Sequence, residues 1–354
     1  MARILVINPG STSTKIAVYE DDTPSFTSTI VHTFEVLAQY DGIMAQLPMR
    51  LETIYDTLEA AGEPLTFDII MARGGLIKPL EGGVYEINLQ MVGDTQRPLR
   101  MHACNLGAII AHRIATEHAH CKAYIADTPL VDELLPEARI TGLPELPRQS
   151  MWHALNQRAT ARKLAKQLGG SYEDFNLIGV HLGGGISIAA HQHGRVIEVN
   201  NALDGEGPLS PERAGSLPMG SWTQLIFTGE YGPTDLRKLL VGQGGLSAHL
   251  GTNNAQEATL RAENGDQQAQ VVLAGMCYQT ARYIGAAAVS LDGQVDAIFL
   301  TGGMAHNSYI TQAISQRIHW LAPIHLFPGE NEMEALAENA RLILSGTLQA
   351  KTYA

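Results

Sequence analysis

Between two apolar, β-branched runs, Arg3–Ile7 and Ile16–Tyr19, lies the octapeptide Asn8-Pro-Gly-Ser-Thr-Ser-Thr-Lys15. Its small residues let backbone N–H groups approach a ligand closely. Ser11, Thr12, Ser13 and Thr14 add hydroxyls and Lys15 adds a point charge, a set that suits phosphate oxygens. It is not a Walker A loop, where Gly-Lys-Ser/Thr opens a helix, because Lys15 opens a strand. Taken alone, the stretch reads equally well as a Ser/Thr-rich hairpin turn.

Two more glycine loops follow. His181-Leu-Gly-Gly-Gly-Ile-Ser187 again separates strand-like runs, Leu177–Leu182 and Ile186–Ala190, with a further strand at Arg195–Val199 after a His193-Gly194 turn. Thr301-Gly-Gly-Met-Ala-His-Asn307 joins a strand starting near Val295 to a helical pattern over Tyr309–Ile318, a position where α/β proteins commonly bind ligands. A triple glycine by itself is compatible with a tight bend, and a Gly-Gly pair with a structural turn. Three such loops in this order and at these separations point to nucleotide phosphates.

The stretches Ile7–Lys15, His181–Ser187, Asn200–Pro208 with Ser210-Pro-Glu-Arg213, and Phe327-Pro-Gly-Glu-Asn-Glu-Met333 resemble the acetate and butyrate kinase family. The likeness covers nearly the whole chain. That family belongs to the superfamily of acetate and sugar kinases, heat-shock 70 proteins and actin. The resemblance implies an α/β fold of two related actin-like (ribonuclease-H-like) domains with a nucleotide cleft between them. Residues 1–148 plus about 335–354 would form the N-terminal domain, and 149–334 the C-terminal one.

The resemblance also implies roles. Asn8, Ser11, Ser13 and Lys15 would form the first phosphate loop, and His181, Gly183, Gly184 and Gly185 the second. Gly302, Gly303 and Asn307 would border the adenosine. Arg73, in Ala72-Arg-Gly-Gly75, would hold the substrate carboxylate, with His102 nearby. Asp127 and Glu332 would position the Mg²⁺ that accompanies ATP. His153 and Arg213 would stabilise the phosphoryl group in flight, which makes Arg73, Asp127, His153 and Arg213 the catalytic set. The acetate enzymes carry an Asn where this chain has Gly184. They also follow the histidine matching His102 with a proline pair, where Ala103 and Cys104 stand here. These departures point away from acetate and towards butyrate as acceptor, giving butanoyl phosphate and ADP reversibly, with isobutyrate, propionate and acetate as alternatives.

The chemistry is coherent from below. A carboxylate with a pKa of roughly 4 to 5 is ionised at neutral pH and needs no general base. The enzyme must bring two anions together and spread the charge of a metaphosphate-like transition state, a task for cations, metal and positioning. Lys15, Arg73, Arg213 and His153 meet that demand. Each residue also has a plainer reading: Arg213 as a surface ion-pair partner, Arg73 as a turn residue, His153 and His102 as structural histidines, Asp127 and Glu332 as solvated acids. A sugar kinase of the same fold would use Asp127 as base for a hydroxyl. A non-enzymatic actin-like protein is a further alternative. Regulators of the superfamily often carry a helix-turn-helix domain, which is not expected here.

These residues need elements to hold them. Strands alternating with helices indicate an α/β architecture, and two strand–Gly loop–strand units half a chain apart hint at related halves. Ser150 reads as the N-cap of a helix over Met151–Leu168 closed by Gly169-Gly170. A last helix spans about Glu332–Leu344. The apolar stretch Val271–Leu291 contains Gln279, Thr280 and Arg282 and reads as a buried helix, not a membrane span. The acidic, turn-rich Asn200–Gly207 segment lacks calcium-loop spacing and is expected to carry the chain across the cleft towards Arg213.

Composition bounds the rest. The 354 residues suit two domains. A net charge of −12, from 24 Lys and Arg against 36 Asp and Glu, disfavours general nucleic-acid binding. Three scattered cysteines form neither a disulfide framework nor a metal knuckle, so a cytoplasmic setting is expected. The apolar run Ile4–Ile7 is too short for a signal-peptide core. The expected partners are ATP and ADP, a short-chain carboxylate and its acyl phosphate. Neither nucleic acid nor membrane is expected, and a homodimer or higher homo-oligomer is implied by the resemblance only.

Overall fold

The computed structural model describes residues 2–118 and 120–354. The chain folds as two compact units, Met1–Val131 with Asn331–Ala354, and Asp132–Glu330.

In the first unit the strands are β1 (Arg3–Pro9), β2 (Ser13–Glu20), β3 (Thr23–Val31), β4 (Ile69–Arg73), β5 (Val84–Glu86), β6 (Lys122–Ala126) and, at the chain's end, β12 (Lys351–Thr352). They form one sheet in the order β12-β5-β6-β4-β1-β2-β3. The second unit contains β7 (Asn176–Leu182), β8 (Ile186–Gln192), β9 (Arg195–Val199), β10 (Ala297–Gly302) and β11 (Ile324–Pro328), ordered β11-β10-β7-β8-β9. The two sheets share a plan. β1-β2-β3 is an antiparallel meander with β4 and then β6 added in parallel. β7-β8-β9 is the same meander, with β10 and β11 added in parallel. The relatedness of the halves, only hinted at by the sequence, is explicit in this strand order.

Period-two alternation gives the second sheet two covered faces. Ile178, Val180 and Leu182 of β7 pack with Leu273, Met276 and Ile284 of the helix Gln267–Ser290. Leu177 faces the other way, with Leu164 of the helix Ala154–Leu168 and Phe299 of β10. In the first unit Leu5, Ile7, Ile16 and Val18 pack with Ile54 and Leu58 of the helix Leu47–Ala60 and Leu106 and Ile110 of the helix Leu106–Thr116. The β8–β9 hairpin closes through His193 (φ 47°) and Gly194 (φ 83°), two left-handed residues that match a type I′ turn.

Four sequence expectations differ from the structure. The helix expected from Met151 starts at Ala154, with His153, not Ser150, as its N-cap residue. Ser150, Met151 and Trp152 are buried in an irregular segment ahead of it. The helix Gln267–Ser290 buries one face only: Val271 and Val289 are more than 70% exposed. Gln279 Oε1 accepts the Leu209 N–H at 2.9 Å. Asn200–Gly207 stays within the second unit: Asn200 Oδ1 accepts from Ile188 N–H and its Nδ2 donates to the Ile186 and Glu206 carbonyls. The units divide at 131/132 and 330/331, where the sequence suggested about 148 and 335. Residues 132–148 pack into the second unit through Arg148, which grips Glu198 at 2.7 Å and Glu206 at 2.8 Å. No helix among the described residues is long and apolar enough to cross a membrane.

Candidate active site

In the first unit the chemistry gathers at the carboxyl end of β1 and β4. Parallel pairing sets Ile7 beside Ala72, so the next residues, Asn8 and Arg73, stand side by side at the ends of their strands, paired on their outer sides with Lys15 and Ala126. Arg73 Nη1 lies 3.0 Å from Glu332 Oε2 and 3.5 Å from Asn8 Oδ1, and Asn8 Nδ2 donates to the same Glu332 oxygen at 2.8 Å. Three residues separated by up to 324 positions thus form one cluster. The Gly74-Gly75 pair behind Arg73 is a matter of space. A Cβ on Gly74 would meet Thr128 at 2.4 Å, and one on Gly75 would meet Asn105 at 2.6 Å.

The Ser11–Lys15 segment rises from the same end of β1. Ser11 is exposed, Ser13 half-buried, and the exposed Lys15 has no ion-pair partner among the described residues. His102 stands against this loop. Its Nδ1 accepts the Cys104 N–H at 3.2 Å, so the proton sits on Nε2, which is 3.4 Å from Ser11 Oγ. Burial, then the charges of Arg73 and Arg50, hold its pKa below the usual histidine value. His102 is therefore a neutral donor beside the Ser11–Lys15 loop. Asp127 follows β6, is 2% exposed, and accepts the Gly83 N–H through Oδ1 at 2.8 Å. Its φ of 37° is a conformation that non-glycine residues rarely adopt. The fold thus holds this carboxylate in one place.

In the second unit His153 and His181 stack face to face, with centroids 3.7 Å apart and ring planes 6° apart. Hydrogen bonds settle their tautomers. Asn156 Nδ2 can only donate, so His181 Nδ1 accepts at 2.9 Å and the proton sits on Nε2, 3.0 Å from Glu330 Oε1. A buried chain leads to His153. Tyr172 Oη donates to His191 Nδ1 at 2.6 Å, and His191 Nε2 donates to Gln157 Oε1 at 3.2 Å. Gln157 Nε2 donates to the Ser187 carbonyl and to Ser187 Oγ at 2.8 Å, which leaves the Ser187 hydroxyl proton for His153 Nδ1 at 3.0 Å. In the tautomer whose Nδ1 accepts from Ser187, the His153 proton sits on Nε2. The chain holds together because His191 is uncharged: burial, then the Arg158 charge, push its pKa down to about 3. Gly179 of β7 makes the room, since a Cβ there would meet Gln157 Oε1 at 2.4 Å and His191 Nε2 at 2.7 Å.

The second glycine loop joins β7 to β8. Gly185 lies under the Ala202 carbonyl, which a Cβ would meet at 2.9 Å, whereas a Cβ on Gly184 would meet only the carboxylate tip of Glu212 at 3.2 Å. Arg213 bonds its neighbour's carbonyl, Glu212 O, at 3.2 Å and Glu212 Oε2 at 3.4 Å, while its buried Nε finds no hydrogen-bond partner among the described residues. Gly302 (φ 90°) ends β10 against the Leu182 backbone, 2.5 Å from where a Cβ would stand. Gly183, Gly184, Gly303 and Asn307 border a cavity of about 370 Å³, together with Asn254 and Gln256. The Asn307 amide itself is committed to the fold: Oδ1 accepts the Ile310 N–H as a helix cap, and Nδ2 donates to Thr259 Oγ1 at 2.8 Å.

Sequence reasoning missed three participants. Gln157 is an ordinary polar residue at a helix position, and nothing in its spacing marks it; Ser187 closes the His181–Ser187 stretch, but its bonds to Gln157 and His153 are not written in that pattern. Arg50 sits in a helix with no motif around it. Its guanidinium reaches the backbone of residues 10–13, a contact only the tertiary fold reveals.

This arrangement has relatives. The acetokinase family model matches residues 147–338. Over 351 residues, 99% of both chains, the sequence is 51% identical to a probable butyrate kinase of Bacteroides thetaiotaomicron. Over 353 residues, again 99% of both, it is 46% identical to butyrate kinase 2 of Clostridium acetobutylicum. Among solved structures, Porphyromonas gingivalis acetate kinase superposes with a TM-score of 0.77 at 16% identity, covering 97% of this chain and 100% of that one. A propionate kinase from Francisella tularensis gives 0.77 at 17%, covering 96% and 99%. At such identities these structures speak to the fold, and they share it; the full-length sequence identities carry the rest. The glycine loops, the Arg73 and Arg213 motifs and the doubled five-strand plan therefore have one common explanation: the chain belongs to the acetokinase family.

Proposed function

We propose that this protein transfers the γ-phosphoryl group of ATP to a short-chain carboxylate, with butyrate the preferred acceptor, yielding butanoyl phosphate and ADP. The observation that carries the reading is the Asn8–Arg73–Glu332 cluster at the end of β1 and β4, next to the Ser11–Lys15 loop. A guanidinium beside a phosphate loop is the seat a carboxylate nucleophile needs. The nucleophile is already ionised, so the site requires no base. Butyrate as the acceptor follows from the names of the full-length relatives.

In this reading Arg73 binds and orients the acceptor carboxylate. Ser11, Ser13 and Lys15 bind ATP phosphates, with Asn8 and His102 beside them. In the second unit Gly183, Gly184 and Gly185 supply a bare backbone for phosphate, and Gly302, Gly303 and Asn307 border the adenosine with the cavity they line. His153 Nε2 and the Arg213 guanidinium donate to the transferring phosphoryl oxygens, and His181 supports His153 by stacking. Asp127 and Glu332 are hard oxygen donors that fit Mg²⁺, held directly or through water. Glu332 Oε2 is already taken by Asn8 and Arg73, so Glu332 would hold the ion alongside those contacts. When bound, the ion neutralises phosphate charge. The reading includes a cytoplasmic setting, where ATP is supplied and the three free thiols stay reduced, and assembly as a homodimer or higher homo-oligomer.

Measuring kcat/KM by coupled ADP release across acetate, propionate, butyrate, isobutyrate, valerate and a sugar panel tests the proposal. The expected profile peaks at butyrate. Turnover with sugars alone would overturn it.

A further inference from the structure

Arg50 is fully buried in the helix Leu47–Ala60, yet no carboxylate lies within 4.0 Å of its guanidinium among the described residues. All its acceptors are neutral. Nε and Nη2 donate to Gln46 Oε1 at 3.1 and 3.0 Å. Nη1 donates to the Gly10 carbonyl at 2.9 Å, the Ser13 carbonyl at 3.2 Å and Thr14 Oγ1 at 3.0 Å, and Nη2 donates to the Ser11 carbonyl at 3.1 Å. A buried cation without a counter-ion is costly, and this one is placed behind the loop that the proposed function assigns to phosphate.

Two physical consequences follow. The first is geometric. A trans peptide is planar, with its C=O and the following N–H pointing in opposite directions. Arg50 draws in the carbonyls of Gly10 and Ser11, so the N–H groups of Ser11 and Thr12 turn to the opposite side. The His32 amide draws in the Thr12 carbonyl at 2.8 Å and extends the pattern. The second is electrostatic. An uncompensated guanidinium behind the loop makes its outer side favourable for anions. Its field is felt locally: after burial, the Arg50 charge is the next cause that lowers the pKa of His32, whose Nε2 contacts Thr14 Oγ1 at 2.9 Å.

We propose that Arg50 is a positioning residue for ATP: it holds the Ser11–Thr14 loop from behind so that its amides face the phosphates, and it supplies buried positive charge for them without touching them. The proposal rests on the kinase reading and deepens it. Arg50 acts on nucleotide phosphates and not on the carboxylate or the adenosine.

The test compares the unmodified enzyme with Arg50→Lys and Arg50→Met. Measured quantities are KM for ATP, KM for butyrate, and inhibition constants for ADP and for adenosine, with folding checked by circular dichroism. The Lys variant keeps the charge but cannot span four loop oxygens. We expect KM for ATP and Ki for ADP to rise about tenfold in Arg50→Lys and further in Arg50→Met, from loss of charge-assisted hydrogen bonds. KM for butyrate and Ki for adenosine should stay within about twofold. Equal rises in all four constants would show a merely structural role and overturn the proposal, as would an unchanged KM for ATP in either folded variant. If neither variant folds, the unmodified protein decides. The guanidinium ¹⁵N resonance of Arg50 should shift on adding ADP but not on adding adenosine, and the absence of that shift overturns the proposal. Absence of carboxylate-dependent turnover in the unmodified protein would instead refute the kinase reading.

Discussion

Replacing Arg73 with Gln separates the carboxylate seat from the ion pair. Arg73 Nη1 lies 3.0 Å from Glu332 Oε2, with the side chains 27% and 18% exposed. Such a pair is partly wet, so its loss costs about 1 kcal/mol of stability, below the 3–5 kcal/mol of a fully buried pair. In a protein of this size that is a fall in Tm of roughly 1–3 °C. The effect on the reaction should be larger. A carboxylate that loses a guanidinium loses charge-assisted hydrogen bonds worth about 1.5–3 kcal/mol each. At about 3 kcal/mol in total, kcat/KM for butyrate falls roughly a hundredfold, while KM for ATP stays put. Adding Glu332→Gln sharpens the test. The double variant should recover most of the lost Tm, because an unpaired Glu332 is removed, and none of the lost kcat/KM. The assay is coupled ADP release at saturating ATP, with calorimetry in parallel. If Arg73→Gln stays within about threefold of the unmodified enzyme, or if its loss of activity is recovered together with Tm in the double variant, Arg73 holds Glu332 and not the substrate.

Two further expectations concern the chain of hydrogen bonds that ends on His153. Ser187→Ala removes the hydroxyl that fixes the His153 proton on Nε2; kcat should fall about tenfold, worth about 1.4 kcal/mol in the transition state, with both KM values nearly unchanged, and an unaltered kcat in the folded variant refutes the role of Ser187. His191 has a folded pKa of about 3, below the 6.5 of the unfolded chain, so the unfolded state takes up the proton first. Its contribution is therefore complete above about pH 6.5 and is lost as pH falls towards 3, at up to about 1.4 kcal/mol per pH unit. His191→Gln should flatten the acid limb of a Tm-against-pH curve between pH 6 and 4, and an unchanged slope there refutes the assignment.

What the sequence disclosed depended on how local the signal was. The three glycine loops and their flanking strands were legible because turn chemistry and β-branched runs are written in adjacent residues. The His193-Gly194 hairpin and the helix from Glu332 were readable for the same reason. The start of the helix at Ala154 was not. Ser150 is a good cap residue by type, but burial of Met151 and Trp152 overrides that preference and delays the helix by three residues. Placing the functional side chains relative to one another needs tertiary pairing. Glu332 reaches Asn8 and Arg73 because its helix packs on β1 and β4. Gln157 reaches His191 because Gly179 lacks a side chain.

The allocation of charge explains why Arg50 escaped notice and why it matters. In a chain of net charge −12, the two arginines given by the motifs come with their own anions. Arg73 pairs with Glu332 and Arg213 with Glu212. Each can serve a reacting anion only by sharing its guanidinium with a resident carboxylate, and this tempers the field it presents. The two histidines stacked in the second unit point Nε2 donors outward in the tautomers their Nδ1 partners favour. That leaves Lys15 and Arg50 without a carboxylate partner among the described residues. Lys15 is exposed, and water and salt screen it. Arg50 is buried, unscreened and fixed by Gln46, Thr14 and three loop carbonyls. A buried positive charge with only neutral hydrogen-bond partners therefore comes from a residue that no phosphate motif contains. It acts from behind the loop, where a sequence pattern built on ligand contacts has no reason to look.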